Sequence, residues 1–205
     1  MKINYTLVSK WMEYIRNHPE NSYRFSECFW PSQLISKSAA IEMLESKLEW
    51  CGENKHVYIF GGWYGVFSQL LQDTYPSPQY HNIDIDPSCK TVFDLIVDSI
   101  SISHETSCMS EYKYQEDVYL VINTSTEHVT QEVYDKWWDN VPVGTEYLIQ
   151  GNNFFESQEH IRCTETLEEF LKINHLKNSC YNESVLCGLR SDGSVFYRYI
   201  ALGKR

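Results

Sequence analysis

The chain has 205 residues, 42% hydrophobic and 22% charged, which is the composition of a globular protein with room for one domain and a full core. Its formal net charge of −11 repels phosphate backbones and does not favour a nucleic-acid partner. Seven scattered cysteines without a C-x-x-C pair, no signal segment and no membrane-spanning stretch predict free thiols in a reducing cytoplasm.

Two helices are predicted before the first strand. The first covers residues 2–18, with Leu7, Trp11 and Ile15 on one face, and Pro19 limits it. The second covers residues 36–50, and Gly52 is placed to end it. A looser aromatic stretch lies between them. We expect residues 1–54 to form a helical cap on a core made by residues 55–205.

From residue 57 the pattern becomes one of strands alternating with helices. Strands are predicted at 57–60, 81–84, 103–107, 118–122 and 146–150, and helices at 66–73, 86–97, 130–139 and 167–173. The continuous apolar run at 118–122 is typical of a strand buried in a parallel sheet. The last two strands, 184–188 and 195–202, flank an Asp192-Gly193 turn, which is a strong hairpin signal. The predicted class is therefore α/β: a three-layer, Rossmann-like, mostly parallel sheet with a C-terminal antiparallel hairpin and an N-terminal helical cap.

The turn after the first predicted strand carries the most specific signal. Gly61, Gly62 and Gly65 would let the backbone approach a ligand closely. Asp84 ends the next strand, where a carboxylate can accept hydrogen bonds from ribose hydroxyls. The alternatives are a tight turn without a ligand and a helix-capping role for Asp84, although Asp86 is better placed to cap.

These segments resemble the class I S-adenosylmethionine-dependent methyltransferases over roughly residues 57–205. VYIFGGWYG at 57–65 resembles the first motif of that family, and IDIDP at 83–87 resembles the second. DVYLVINTSTEHV at 117–129 is similar to the fourth motif, and VFYRYIALGK at 195–204 to the terminal antiparallel strand. Within the family, the chain resembles small phage-type members.

The resemblance implies S-adenosylmethionine as the cofactor. The cofactor-binding residues that it implies are Gly61, Gly62, Trp63, Gly65, Asp84, Ile85, Cys108, Met109, Asn123 and Thr124. Three positions depart from the family pattern. Ile59 replaces an acid, Trp63 replaces the middle glycine, and Cys108 stands where an acid often binds the adenine amino group. The Trp63 indole would either cover the ligand or block the pocket.

Polar segments follow the fourth and fifth predicted strands at the same edge of the sheet. His128 is interpreted as a general base for an acceptor hydroxyl or amine, with a purely structural histidine as the alternative. The predicted substrate-binding residues are Tyr64, Glu127, Asn152 and Asn153, and a plain turn is the alternative for the last two. His160 with Cys163, and His175 with Cys180, lack partners at metal-site spacing, so no metal is predicted.

The predicted function is methyl transfer to a small-molecule or protein acceptor. The segment after the fourth strand contains neither N-P-P-Y nor D-P-P-Y nor a Pro-Cys nucleophile, which argues against nucleic-acid bases. One alternative is a degenerate family member that binds a partner without a cofactor, which the three departures favour. A second alternative is a nicotinamide-dependent oxidoreductase. The terminal hairpin and the imperfect G-x-G-x-x-G motif argue against this class.

Overall fold

A seven-stranded sheet lies at the centre of the structure, a computed structural model that describes residues 4–49, 55–114, 117–176 and 179–205. The strands are β1 (His56–Phe60), β2 (Gln79–Asp84), β3 (Ile102–Thr106), β4 (Val118–Asn123), β5 (Glu146–Asn152), β6 (Tyr181–Leu189) and β7 (Val195–Lys204). Their order across the sheet is β3-β2-β1-β4-β5-β7-β6. β1 to β5 pair in parallel, and β7 lies antiparallel between β5 and β6. The predicted fold class is confirmed.

Helices cover both faces of this sheet. They are α1 (Tyr5–Asn17), α2 (Pro19–Ser26), α3 (Pro31–Lys47), α4 (Val66–Thr74), α5 (Ser88–Ile96), α6 (Gln131–Asn140) and α7 (Leu167–Ile173). Successive side chains of a strand point to opposite faces. Val57 and Ile59 of β1 therefore pack with α3, α4 and α5, whereas Tyr58 and Phe60 pack with α6 and α7. The result is three layers, with the strand ends free to form a site.

The N-terminal region contains more helix than the sequence predicted. The aromatic stretch before residue 31 includes α2 and a 3-10 turn, Glu27–Phe29. Pro19 and Pro31 each occupy the first turn of a helix, where proline's missing N–H costs nothing. Pro19 thus begins α2 as well as limiting α1, and α3 starts earlier than predicted. The predicted stop at Gly52 lies outside the described residues.

The first helices pack against the same edge of the sheet as the glycine-rich turn. Trp11, Tyr14 and Phe25 share a buried cluster with Tyr64, which follows that turn, and with Ile96 of α5. Helix α3 instead contributes to the main core of one sheet face. The division into a cap and a core at residue 54 stays a prediction.

The antiparallel hairpin turns at the predicted dipeptide. Gly193 has φ +82°, in the left-handed region that glycine adopts without a Cβ clash. Its N–H donates to the carbonyl of Arg190 at 3.0 Å, and the Arg190 N–H donates to Ser194 at 2.8 Å. The described cysteines all carry free thiols. Among the described residues, every helix is too short or too polar to cross a membrane.

Candidate active site

A cavity of about 1130 Å³ opens at the carboxyl ends of the parallel strands. Open α/β sheets bind ligands at this edge, because the loops that leave the strands diverge there. The predicted residues that line it are Gly61, Gly62, Trp63, Asp84, Ile85, Cys108, Met109, Thr124, Glu127 and His128. The structure therefore brings together most of the cofactor side and part of the acceptor side of the predicted site.

The turn after β1 is held in a conformation that requires small residues. Gly61 has φ +65° and Gly65 has φ +78°. A Cβ on Gly62 would fall on the side-chain amide of Asn82, and one on Gly61 would fall on the side chain of Ser125. The glycines thus allow the turn to lie directly against β2 and the segment after β4.

Asn82 in β2 fixes this turn from below, a role that sequence reasoning missed. It is fully buried; its Nδ2 donates to the Trp63 carbonyl at 3.0 Å, and its Oδ1 accepts from Ser68 at 2.8 Å. The signal that could have identified this role is the amide side chain of Asn82 inside the strand, directly before Ile83 and Asp84. A buried amide with its hydrogen bonds satisfied specifies one geometry of the turn.

The two acids at the end of β2, Asp84 and Asp86, have different partners. Oδ2 of Asp84 accepts the Trp63 N–H at 2.8 Å, and its Oδ1 accepts the Asp86 N–H at 3.0 Å. Asp86 accepts the Ser88 N–H at the start of α5 and pairs with Arg24 of α2 at 2.5 Å. Hydrogen bonds from Ser88 and then from Arg24 lower the pKa of the Asp86 carboxyl. Asp86 thus holds α2 and α5 together, and Asp84 holds the turn.

Trp63 and Tyr64 stack on each other but face different surroundings. Their ring centroids are 4.9 Å apart with planes 20° apart. Trp63, at φ +50°, lines the cavity, whereas Tyr64 is buried beside Phe25 of α2, at 5.7 Å between ring centroids. Desolvation raises the pKa of the Tyr64 hydroxyl. The predicted substrate-binding role of Tyr64 is therefore not supported by its position, which is that of a core residue.

The far side of the cavity, beyond Asp84, is lined by Ile85, Cys108 and Met109. Ile85 is 69% exposed, and a large apolar side chain this open is available to a flat ligand. Asn123 lies beneath this wall rather than on it. It is fully buried, donates to Met109 Sδ at 3.6 Å and accepts the Ser125 N–H at 3.1 Å. It shapes the segment after β4, so direct contact with a ligand would need rearrangement.

A buried ion pair lies on the opposite wall. Arg198 of β7 donates to Oε1 of Glu127 at 2.6 Å, and Asn152 Nδ2 donates to the same oxygen at 2.5 Å. Desolvation is the largest single influence on Glu127 and would raise its pKa, but the charge of Arg198, the two neighbouring histidines and a backbone hydrogen bond together outweigh it. The pKa is therefore lowered, and the carboxylate stays ionised. Asn152 orients Glu127 from behind the cavity wall. Asn153 bonds to the backbone of Val195 and Tyr197 and fixes the hairpin.

Two histidines stand beside Glu127. The rings of His128 and His160 lie 4.7 Å apart in a T-shaped arrangement, and both line the cavity. Nδ1 of His160 lies 2.7 Å from the carbonyl oxygen of Phe154, so it carries the proton and Nε2 has a free lone pair. Desolvation lowers the pKa of His160. The proximity of the two histidines was not predicted from the sequence, because His160 comes from the loop after β5.

Lys37 of helix α3 also lines the cavity. Its Nζ donates to Gln33 Oε1 at 2.7 Å, and desolvation lowers the pKa of the ammonium to about 8. Neither Lys37 nor Arg198 was predicted as a site residue. Arg198 did carry a signal, since it is the single charge inside the apolar run 195–203. Gly65 lies outside the cavity, against Phe93, where a Cβ would clash.

No protein-family model matches this sequence, and neither does any curated protein sequence. Solved structures do match in fold. The N-methyltransferase NodS from Bradyrhizobium japonicum WM9, in complex with S-adenosyl-L-homocysteine, has a TM-score of 0.64 at 13% identity, over 97% of this chain and 99% of that one. The geranyl diphosphate C-methyltransferase from Streptomyces coelicolor A3(2), in complex with Mg²⁺, geranyl-S-thiolodiphosphate and S-adenosyl-L-homocysteine, has a TM-score of 0.62 at 14% identity. The match covers 82% of this chain and 76% of that one.

A third match is the phosphoethanolamine N-methyltransferase 2 of Haemonchus contortus, in complex with S-adenosyl-L-methionine, at a TM-score of 0.59 and 10% identity, over 82% of this chain and 53% of that one. These likenesses define the class of fold. The chain has the Rossmann-like fold of the class I methyltransferases, with the sheet order and terminal antiparallel strands described above.

Proposed function

We propose that the protein is an S-adenosylmethionine-dependent methyltransferase acting on a small-molecule or protein acceptor. The observation that carries the proposal is the pairing of Asp84 with the glycine-rich turn at the mouth of the cavity. An acid at the end of β2, beside a turn in which Gly61 and Gly62 carry no side chains, suits a nucleoside with a polar tail. The solved relatives bound to S-adenosylmethionine or its demethylated product support this choice of cofactor.

The residues present fit this cofactor. Each oxygen of Asp84 accepts one backbone N–H and keeps a lone pair for a ribose hydroxyl. Gly61 and Gly62 line the cavity where the methionine part would lie, and Ile85, Cys108 and Met109 form a wall suited to adenine. When bound, S-adenosylmethionine supplies a methyl group already activated by its sulfonium. The protein therefore needs mainly to position the acceptor and receive its proton.

The acceptor side is the wall formed by Glu127, His128 and His160. His128 is exposed and lies at the cavity surface, so we assign it as the general base that takes the acceptor proton. Glu127 cannot move freely, because Arg198 and Asn152 hold one of its oxygens. This wall would orient the acceptor while His128 removes its proton.

The experiment that tests the proposal is calorimetric titration of the protein with S-adenosylmethionine and S-adenosylhomocysteine, with NAD as the control ligand. We expect micromolar binding of the first two, about −8 kcal/mol, and no heat with NAD. Binding of NAD alone would favour an oxidoreductase. The absence of heat with all three would instead favour a degenerate family member that acts as an interaction protein.

The role of His128 is tested by turnover with an acceptor found by screening. His128→Gln keeps a polar side chain of similar size but has no basic nitrogen. We expect kcat to fall by roughly 10²- to 10⁴-fold, with the affinity for S-adenosylmethionine unchanged. A kcat equal to that of the wild type would exclude His128 as the base.

A further inference from the structure

Glu127, His128 and His160 form a cluster of possible metal ligands, of which the proposed methyl transfer uses only His128 as a reacting group. One nitrogen from each histidine and one carboxylate oxygen all lie within 4.8 Å of one another. Glu127 and His128 belong to the 3-10 turn Thr126–His128, which follows β4. The backbone N–H groups of Ile161 and Arg162 donate to the Glu127 carbonyl at 2.9 and 3.1 Å. These bonds hold the loop that bears His160 against the turn.

Glu127 has one oxygen engaged and one without a partner. Its Oε1 accepts from both Asn152 and Arg198, whereas its Oε2 is buried and has no hydrogen-bond partner among the residues that the structure describes. The side chain is 1% exposed. A buried carboxylate oxygen without a donor is costly, because it has lost its hydration. An electropositive ligand bound at Oε2 would offset this cost.

His160 is oriented as histidines that bind metals are oriented. Its Nδ1 donates to the Phe154 carbonyl at 2.7 Å, which fixes both the tautomer and the ring and leaves Nε2 as a lone-pair donor. His128 provides a second imidazole from the exposed side. Two imidazole nitrogens and one carboxylate oxygen, with further positions open to a cavity, are a donor set suited to Zn²⁺, Co²⁺ or Fe²⁺.

We infer that Glu127 Oε2, His128 and His160 form a binding site for one divalent transition-metal ion. The prediction of no metal rested on spacing along the chain, and the third donor here comes from a loop after a different strand. The ion would face the cavity, where its open positions could bind an acceptor oxygen and make that group more acidic. Activation of an acceptor by the ion rests on the proposed function, whereas binding of the ion does not. With the ion bound, His128 would act as a metal ligand instead of a general base.

The test is titration of the cofactor-free protein with Co²⁺, followed by absorption spectroscopy. We expect one ion per chain and the weak visible bands of nitrogen and oxygen ligands, displaced by an equivalent of Zn²⁺. His128→Ala, His160→Ala and Glu127→Gln should each weaken binding by at least about tenfold. His175→Asn, in a surface histidine paired with Asp135, is the control and should leave binding unchanged.

Three results would overturn the inference: no binding by the wild type, unchanged binding by His160→Ala, or an intense thiolate charge-transfer band. The last would mean that cysteines hold the ion. Circular dichroism of each variant separates loss of the site from loss of the fold. S-adenosylmethionine binding by His160→Ala is measured in parallel, and we expect it to be retained. Failure of the metal site and failure of the proposed cofactor are therefore distinguishable.

Discussion

The backbone N–H of Trp63 donates to Oδ2 of Asp84 at 2.8 Å, which ties the glycine-rich turn after β1 to the carboxyl end of β2. The residues lie 21 positions apart in sequence. The same carboxylate receives the Asp86 N–H on its other oxygen. One side chain thus sets the shape of the turn and offers its remaining lone pairs to the cavity.

Substitution of Asp84 should therefore affect ligand binding and the fold together. Asp84→Ala removes two acceptors for backbone N–H groups as well as the proposed ribose contact. We expect the affinity for S-adenosylmethionine to fall at least about tenfold, which is about 1.4 kcal/mol, by calorimetry. The free energy of unfolding should fall by about 1–2 kcal/mol in urea titrations. Asp94→Ala, at an exposed aspartate paired with Lys90, is the control. Full retention of affinity would remove Asp84 from the site.

The substitution Gly62→Ala tests the close approach between the turn and β2. In Gly62→Ala the new methyl group would occupy the position of the Asn82 amide, which holds the turn through Trp63. We expect a loss of roughly 1–3 kcal/mol in stability, measured in urea, and a weaker affinity for S-adenosylmethionine. Gly193→Ala is the matched control, because its Cβ would meet open space and only backbone strain remains. Because backbone strain at Gly193, with φ +82°, lowers stability by itself, the deciding comparison is ligand affinity. A loss of S-adenosylmethionine affinity in Gly193→Ala equal to that in Gly62→Ala would contradict a specific role for the contact with Asn82.

The Glu127–Arg198 pair should show strong coupling. Arg198→Met leaves a carboxylate buried with Asn152 as its remaining partner, so the loss should be about 3–5 kcal/mol of unfolding free energy. The double variant Glu127→Gln/Arg198→Met removes both charges, and we expect it to be more stable than Arg198→Met alone. Urea denaturation of the wild type, both single variants and the double variant gives the coupling energy. Additive losses would show that the two side chains act independently.

A half-buried histidine in β2, His81, predicts a loss of stability in acid. Nε2 of His81 lies 3.0 Å from Nδ1 of His56, and desolvation, together with the charge of His56, lowers the pKa of His81 to about 4. In the unfolded chain His81 titrates at its ordinary value of 6.5. Between these values the unfolded state binds more protons, so stability is present above 6.5 and is lost as the pH falls towards 4.

The measurement is the urea midpoint at a series of pH values from about 7 to about 4. The wild type should lose stability more steeply over this range than His81→Gln, which cannot take up the proton. Parallel slopes for the two proteins would show that the acid sensitivity comes from other groups, such as His104, whose pKa burial also lowers.

Sequence reasoning predicted the geometry around the glycine-rich turn better than the geometry around Glu127. The turn after β1, the end of β2 and the hairpin at Gly193 follow from local rules: periodicity, glycine at positive φ and short-range capping. Glu127 and His128 are neighbours in sequence, so they were found together. Arg198, the partner of Glu127, was not predicted as a site residue, since it lies 71 positions away in the sequence.

Helix α2 in the N-terminal region was not predicted for a different reason. Helix α2 is short and its apolar residues are aromatic, so it lacks the repeated spacing that marked α1. Phe25 is buried because Tyr64 and Trp11 surround it, which is a tertiary effect. Asn123, by contrast, was placed correctly at the end of β4, but burial makes it a support of the Ser125 turn. Position at a strand end does not decide whether a side chain faces outward.

The place of Arg198 in β7 has a consequence for how the protein reaches its working form. The strand that bears it enters the sheet between β5 and β6, so it pairs only with residues that precede it in the chain. Arg198 can reach Glu127 only when this last strand has been placed against β5. An intermediate with β1 to β5 assembled would already have the turn and Asp84, but Glu127 would lack its counter-charge. The proposed acceptor side therefore depends on the placement of the last strand, whereas the proposed nucleoside side does not.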